Sequence, residues 1–141
     1  MQGRIFIQEA PENLDVEGLR TQLETEGCGA IVSFVGITRG MDDGEKVLRL
    51  EFDAWQDKLS ETLKLLAEQS VERFSLHSVA MAHRTGSVGP GENIVAIHVA
   101  SPHRKDAFDG CSWLIDELKR QAPLWKKEVK PSGASWKAGL G

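Results

Sequence analysis

The residues best able to do chemistry are cations at a few separated places. In "SPHRKDAF", Ser101 to Phe108, the imidazole of His103, the guanidinium of Arg104 and the ammonium of Lys105 follow an apolar run, "NIVAIHVA". Ser101 suits a helix N-cap and Pro102 the first helical position, which sets His103 and Arg104 in the first turn. Cations there oppose the helix dipole at a cost of a few tenths of a kcal/mol, roughly. A bound anion reverses that penalty, because free backbone N–H groups, a guanidinium and an imidazole would then converge on it. Solvation, or pairing with Asp106 or Asp109, is the plainer reading of the same residues.

Further cations recur along the chain. Phe108, Cys111, Ile115, Leu118 and Ala122 form an apolar stripe, and Lys119 falls on its side of the helix. Its ammonium must snorkel out, find a partner or sit desolvated, ready for acid/base or nucleophilic work. In "LWKKEVK" alternation sets Lys126, Glu128 and Lys130 on one face and Trp125, Lys127 and Val129 on the other. That pattern fits a solvated edge strand guarded by lysines, or a second lysine serving an anionic ligand with Glu128 to orient it. Arg39 follows a buried strand in a Gly-flanked loop.

The elements that position these groups follow from the pattern. Strands are predicted over Arg4–Gln8, Gly29–Ile37, about 46–53, 76–85 with mixed faces, and 92–100 as the central strand. Helices are predicted from Asp15 to near Gly27, from about Gln56 to Phe74, and from Ser101 to Ala122, where Pro123 stops the ladder. "TRGMDDGEK" reads as a loop with a solvated acidic turn at Asp42, Asp43 and Glu45. "GSVGPGEN" reads as a turn, and "PSGASWKAGLG" as a tail anchored by Trp136. The links between 29–37 and 46–53 and between 76–85 and 92–100 suit antiparallel hairpins. The order predicts an α+β fold with an antiparallel or mixed sheet, as a single domain over 1–141.

Composition narrows the function classes. With 141 residues and a formal net charge of −4, the chain is a poor non-specific binder of nucleic acid or membrane. No apolar run reaches about 18 residues and no signal-peptide pattern opens the chain. Cys28 and Cys111 stand far apart, as reduced cytoplasmic thiols do. His77, His83 and His98 lack metal-ligand spacing, so they read as structural and no metal is expected. Trp55, Trp113 and Trp125 read as core or interface residues.

One distance sharpens the problem. His103 and Lys119 are sixteen residues apart on one predicted helix, about 24 Å at 1.5 Å per residue. A small ligand cannot touch both within one chain. There are either two sites or one composite site completed by a second copy in a two-fold dimer.

At these residues the chain resembles a known family, the large, catalytic subunit of molybdopterin synthase. The resemblance spans about Gly29 to Trp136 and rests on "GAIVSFVGITR", "LEFDAW", "HRTGSVGPGENIVAIHVASPHRKDAF" and "LKRQAPLWKKE", in family order and spacing. It implies an α/β hammerhead-type fold and a sulfurtransferase that builds the dithiolene of molybdopterin from cyclic pyranopterin monophosphate (precursor Z). Sulfur would come from the C-terminal Gly-Gly thiocarboxylate of a small ubiquitin-like subunit, around a homodimer at the centre of a heterotetramer, with no cofactor. Carried over by position, the implied substrate-binding set is Ile37, Thr38, Arg39, His103, Arg104, Lys119, Lys126, Lys127 and Glu128. Within it Lys119 and Lys126 are the implied catalytic pair. The chain departs from the family in having no tyrosine: Phe52 and Trp55 stand where tyrosines are common, and Lys137 is the one basic candidate in the tail.

Two readings stand beside this one. A non-catalytic module would dock a ubiquitin-like protein or an anionic metabolite, and its lysines would bind without chemistry. A plain α+β dimer would carry the basic patch as an electrostatic accident and show no saturable site.

Overall fold

The computed structural model describes residues 4–55 and 57–138. Two four-stranded sheets and three helices make up the α+β architecture, as the sequence predicts. The first sheet has the order β1-β6-β8-β2, built from β1 (Arg4–Ala10), β6 (Ser78–Arg84), β8 (Asn93–Ser101) and β2 (Ala30–Ile37). β1 runs parallel to β6, and the β6–β8 and β8–β2 pairs are antiparallel. β8 is central, as its near-continuous apolar run predicts. β6, read from its sequence as a strand with mixed faces, is buried along both of them. Its outer face is covered by the short helix α1 (Val16–Arg20) and the segment leading into it, which set Leu19 and Leu14 on Ala80, Ala82 and Ala96.

α1 is far shorter than the predicted span to Gly27. Asp15 caps it as expected, its carboxylate accepting the Gly18 N–H at 3.0 Å. It then loosens into i→i−3 bonds, Gln22 N–H to Leu19 O and Leu23 N–H to Arg20 O, while the Thr21 hydroxyl donates to the Gly18 carbonyl. Such side-chain bonds compete with the helical ladder.

The main core lies between the other face of the first sheet and helices α2 (Lys58–Phe74) and α3 (Arg104–Gln121). Leu59, Leu63, Leu66, Ala67 and Ser70 give α2 its buried stripe. α2 ends at Ser75 in a left-handed conformation (φ 56°), whose N–H donates to the Val71 carbonyl. Gln56, predicted to open this helix, lies outside the described residues.

The second sheet has the order β10-β9-β5-β7, from β10 (Gly133–Ala138), β9 (Leu124–Lys130), β5 (Arg49–Ala54) and β7 (Gly86–Val88), and is antiparallel throughout. Its buried face adds Leu50, Phe52, Val88 and Leu124 to the main core. Three expectations change here. The hairpin predicted between 29–37 and 46–53 does not form, because β2 pairs with β8 while β5 crosses to the second sheet. The "GSV" of the predicted turn forms β7, and the predicted tail forms β10, with Trp136 more than half exposed instead of anchored. β9 is therefore interior, not an edge strand. The other predicted hairpin, β6 with β8, is present.

Between β2 and β5 the predicted loop folds as a two-residue ribbon, β3 (Met41–Asp42) against β4 (Glu45–Lys46). Asp43 and Gly44 turn it with positive φ of 51° and 74°, the Asp-Gly signature of a tight hairpin. Its acidic residues are tied down, not merely solvated. Asp42 accepts from the Lys130 ammonium at 2.9 Å, and Glu45 accepts the Ser132 N–H and hydroxyl at 2.8 and 2.9 Å. Those two Ser132 bonds, the side-chain one foremost, hold the Glu45 carboxyl below its usual range.

Candidate active site

A cavity of about 360 Å3 opens where β2, α3 and the second sheet meet. Its apolar wall includes Phe34, Val47, Leu50, Phe52, Ile94 and Ile115, and its charged groups are Arg39, Lys119, Lys126, Asp42 and Glu128. Apolar walls with a few convergent charged groups fit a small molecule that carries charge.

Each cation arrives by a separate route. β2 carries Ile37 and the segment that leads to Arg39. A register shift falls between Gly36 and Ile37, and a Cβ on Gly36 would stand 2.7 Å from Val95 Cγ1, so this close approach requires glycine. Beyond it the chain is pinned twice. The Thr38 N–H donates to the Glu92 carbonyl and Thr38 accepts from the Gly91 N–H, while Gly40 accepts from the Val47 N–H. Arg39 stands between these anchors, its side chain at the cavity. Thr38 is buried and does not line the cavity; its backbone fixes the loop.

Lys119 reaches the cavity from the last turn of α3, one turn beyond Ile115. It is exposed, so its ammonium meets both the cavity and solvent. Lys126 and Glu128 come from β9, two residues apart on the inward face, with Lys126 Nζ 3.4 Å from Glu128 Oε1. Glu128 is buried, and Lys130 Nζ also lies 3.8 Å from its other oxygen. The hydrogen bond to Asp42, and after it the nearby charges of Asp42, Glu128 and Asp43, raise the pKa of Lys130 above the usual lysine value. Alternation turns Lys127 to the opposite face of β9, where it lies 3.5 Å from Glu51 and over the Trp136 ring at 5.4 Å. The side chain of Lys137 lies outside the described ones.

The "SPHRKDAF" turn differs from its predicted frame. Ser101 ends β8, paired with Ala30, and its hydroxyl donates to the His103 carbonyl. The cap is therefore His103, in extended conformation (φ −121°, ψ 139°), and α3 starts at Arg104. The frame moves by two residues because Ser101 is retained by the sheet. His103 and Arg104 remain exposed at the helix start, and Lys105 pairs with Asp109 at 2.8 Å. The stripe also turns: Ala107, Gly110, Cys111, Leu114 and Leu118 are buried, while Phe108 is 61% exposed. Of the predicted site residues, one chain brings Ile37, Arg39, Lys119, Lys126 and Glu128 to the cavity. His103 and Arg104 lie at the far end of α3.

Sequence reasoning missed Asp42 and the apolar wall. Asp42 was signalled by the Asp-Gly hairpin motif beside it; the wall residues are core-like in sequence and give no local signal. His98 and His83 make structural bonds. Ser33 donates to His98 Nδ1 at 2.6 Å and His98 Nε2–H donates to Val16 O at 3.0 Å, while His83 Nδ1–H donates to Arg84 O at 2.6 Å. No group of three or more His, Cys, Asp or Glu among the described residues is placed to hold a metal.

The family model described as MoaE protein matches residues 9–121. The chain belongs to the MoaE family. A molybdopterin synthase catalytic subunit from Arabidopsis thaliana is 39% identical over 133 residues, which cover 94% of this chain and 67% of the relative. The Pyrococcus abyssi protein of that name is 29% identical over 136 residues, 96% of this chain and 92% of its own. The crystal structure of molybdopterin synthase from Staphylococcus aureus matches with a TM-score of 0.86 at 29% identity, covering 98% of both chains. Membership gives the cavity at the β2–α3–β9 junction a setting in which MoaE relatives are named as catalytic subunits.

Proposed function

We propose that this chain is the catalytic subunit of a molybdopterin synthase, acting as a sulfurtransferase on cyclic pyranopterin monophosphate in the cytoplasm. The observation that carries the reading is the convergence of Arg39, Lys119, Lys126 and Glu128 on one cavity with an apolar wall, in a chain of the MoaE family. The apolar wall would take the pterin, and the cations would take its phosphate and the charge of the reaction.

In this reading residues 1–141 act as one domain, and a small ubiquitin-like subunit delivers a C-terminal Gly-Gly thiocarboxylate. The dithiolene takes two sulfurs, so two such tails are used in turn; each tail's carbonyl carbon exchanges its sulfur for a water oxygen, and the sulfur replaces an oxygen that leaves the pterin side chain as water. Lys119 and Lys126 are the catalytic pair: Lys119 meets the developing negative charge, and Glu128 orients Lys126 from 3.4 Å. Ile37 and Arg39 form one side of the substrate site, held in place by the backbone of the buried Thr38, with Lys127 behind β9 supporting the strand. His103 and Arg104 of a second copy complete the phosphate end, because a single α3 holds them too far from Lys119.

Mass spectrometry of the chain mixed with the thiocarboxylated partner and precursor Z tests this directly. Expected are the dithiolene product and a partner tail returned as carboxylate. An unchanged precursor with the thiocarboxylate intact overturns the reading in favour of a binding module.

A further inference from the structure

Lys130 takes no part in the cavity lining, yet it touches two of the groups that do. Its ammonium lies 2.9 Å from Asp42 Oδ2 and 3.8 Å from Glu128 Oε2, and the side chain is 17% exposed. Asp42 comes from β3 and Glu128 from β9, so this one cation bridges the hairpin and the strand that form one side of the cavity. Without it the cavity presents the cations Arg39, Lys119 and Lys126 against the carboxylates Asp42 and Glu128. Both carboxylates would then compete with an anionic ligand for those cations. With Lys130 paired to them from farther along the same face of β9, part of their charge is neutralised and the cavity keeps a cationic balance.

We propose that Lys130 is a specificity-determining residue, which engages Asp42 and Glu128 beside the cavity and so keeps the cavity selective for a phosphate-bearing anion. The inference rests on the proposed reading of the cavity as the site of a phosphate ester. Lys130 acts through its two carboxylate partners and not by touching the substrate.

The test separates charge from structure. Lys119 is acetylated with a neutral N-hydroxysuccinimide ester and with its sulfonated, anionic counterpart, and mass spectrometry gives the ratio of the two rates. That ratio reads the local potential and cancels changes in the amine's own reactivity. Lys130→Met is expected to lower the anionic-to-neutral ratio roughly threefold or more. Asp42→Asn added to Lys130→Met restores it, and Lys130→Arg keeps it. In turnover, Lys130→Met raises KM for precursor Z about three- to tenfold with kcat within about twofold, and the double variant reverses the rise. An unchanged ratio in Lys130→Met, a fall that Asp42→Asn does not repair, or an unchanged KM overturns the inference. A wild-type chain that gives no turnover overturns the assigned function instead, and the acetylation ratios then decide the role of Lys130 alone.

Discussion

His103 caps the start of α3, and Lys119 stands in its last turn, so the two side chains mark opposite ends of an 18-residue helix. The helical rise separates them by about 24 Å. Only one of them lines the cavity. A site that uses both must draw on two copies of the chain, which makes complementation the informative test. Homodimers of His103→Ala and of Lys119→Ala should each be nearly inactive. In an equal mixture of chains, half the dimers are mixed, and each mixed dimer has one of its two sites intact. Activity of the mixture should recover to about a quarter of wild type. A mixture that stays at background, with subunit exchange verified by native mass spectrometry, rules out the shared site.

Lys119→Ala should lower kcat/KM by about a hundredfold or more, the range for removing a group that meets developing charge. Because Lys119 is exposed and makes no structural bond found among the described residues, melting temperature should change little. Near-normal turnover with the thiocarboxylated partner supplied would remove Lys119 from the chemistry.

How much of this was legible in the sequence depends on the range of the interaction. Lys119, Lys126 and Glu128 stand out in the sequence, because helical spacing and strand alternation are local and a lysine on an apolar face is conspicuous; Arg39, a single Arg in a Gly-flanked loop, joins them through the family resemblance. The hairpin pairing of β2 with β5 was misread because a short link says only that two strands are near, not that they share a sheet. Ser101 was read as a cap on sequence preference, yet its pairing with Ala30 across the sheet decides where α3 begins. Phe108 shows the same limit: helical spacing allows it on the stripe, and packing of Gly110 against Leu76 turns it out. The acidic turn looks solvated because its partners, Lys130 and Ser132, lie almost ninety residues away in sequence, beyond the reach of any local pattern.

His83 makes stability depend on pH. Burial, above all, lowers its pKa from 6.5 to about 4, against the opposing bond to Arg84 O. Between those values the unfolded chain binds a proton that the folded chain refuses. Stability from this group is therefore complete above pH 6.5 and falls as pH drops towards 4. At about 1.4 kcal/mol per pH unit, on the order of 2 kcal/mol should be lost between pH 7 and pH 5. His98, also lowered by burial, adds to the same trend. Urea unfolding at the two pH values measures the loss, and His83→Leu should flatten the dependence although it destabilises the fold at both. An equally steep dependence in that variant would assign the effect elsewhere.

Cys111 is buried in the stripe of α3, and burial pushes its thiol up to about 11. Burial raises Cys28 as well, although that side chain is only half-buried. The thiolate is the reactive form, so both should be slow nucleophiles in the folded protein. With iodoacetamide at pH 8, Cys28 should alkylate slowly and Cys111 not measurably until denaturant is added. Peptide mapping after timed quenching distinguishes the two sites. Rapid labelling of Cys111 in the native protein would mean that α3 opens locally from the sheet far more often than its packing allows, and would place the Lys119 end of the helix in the same motion.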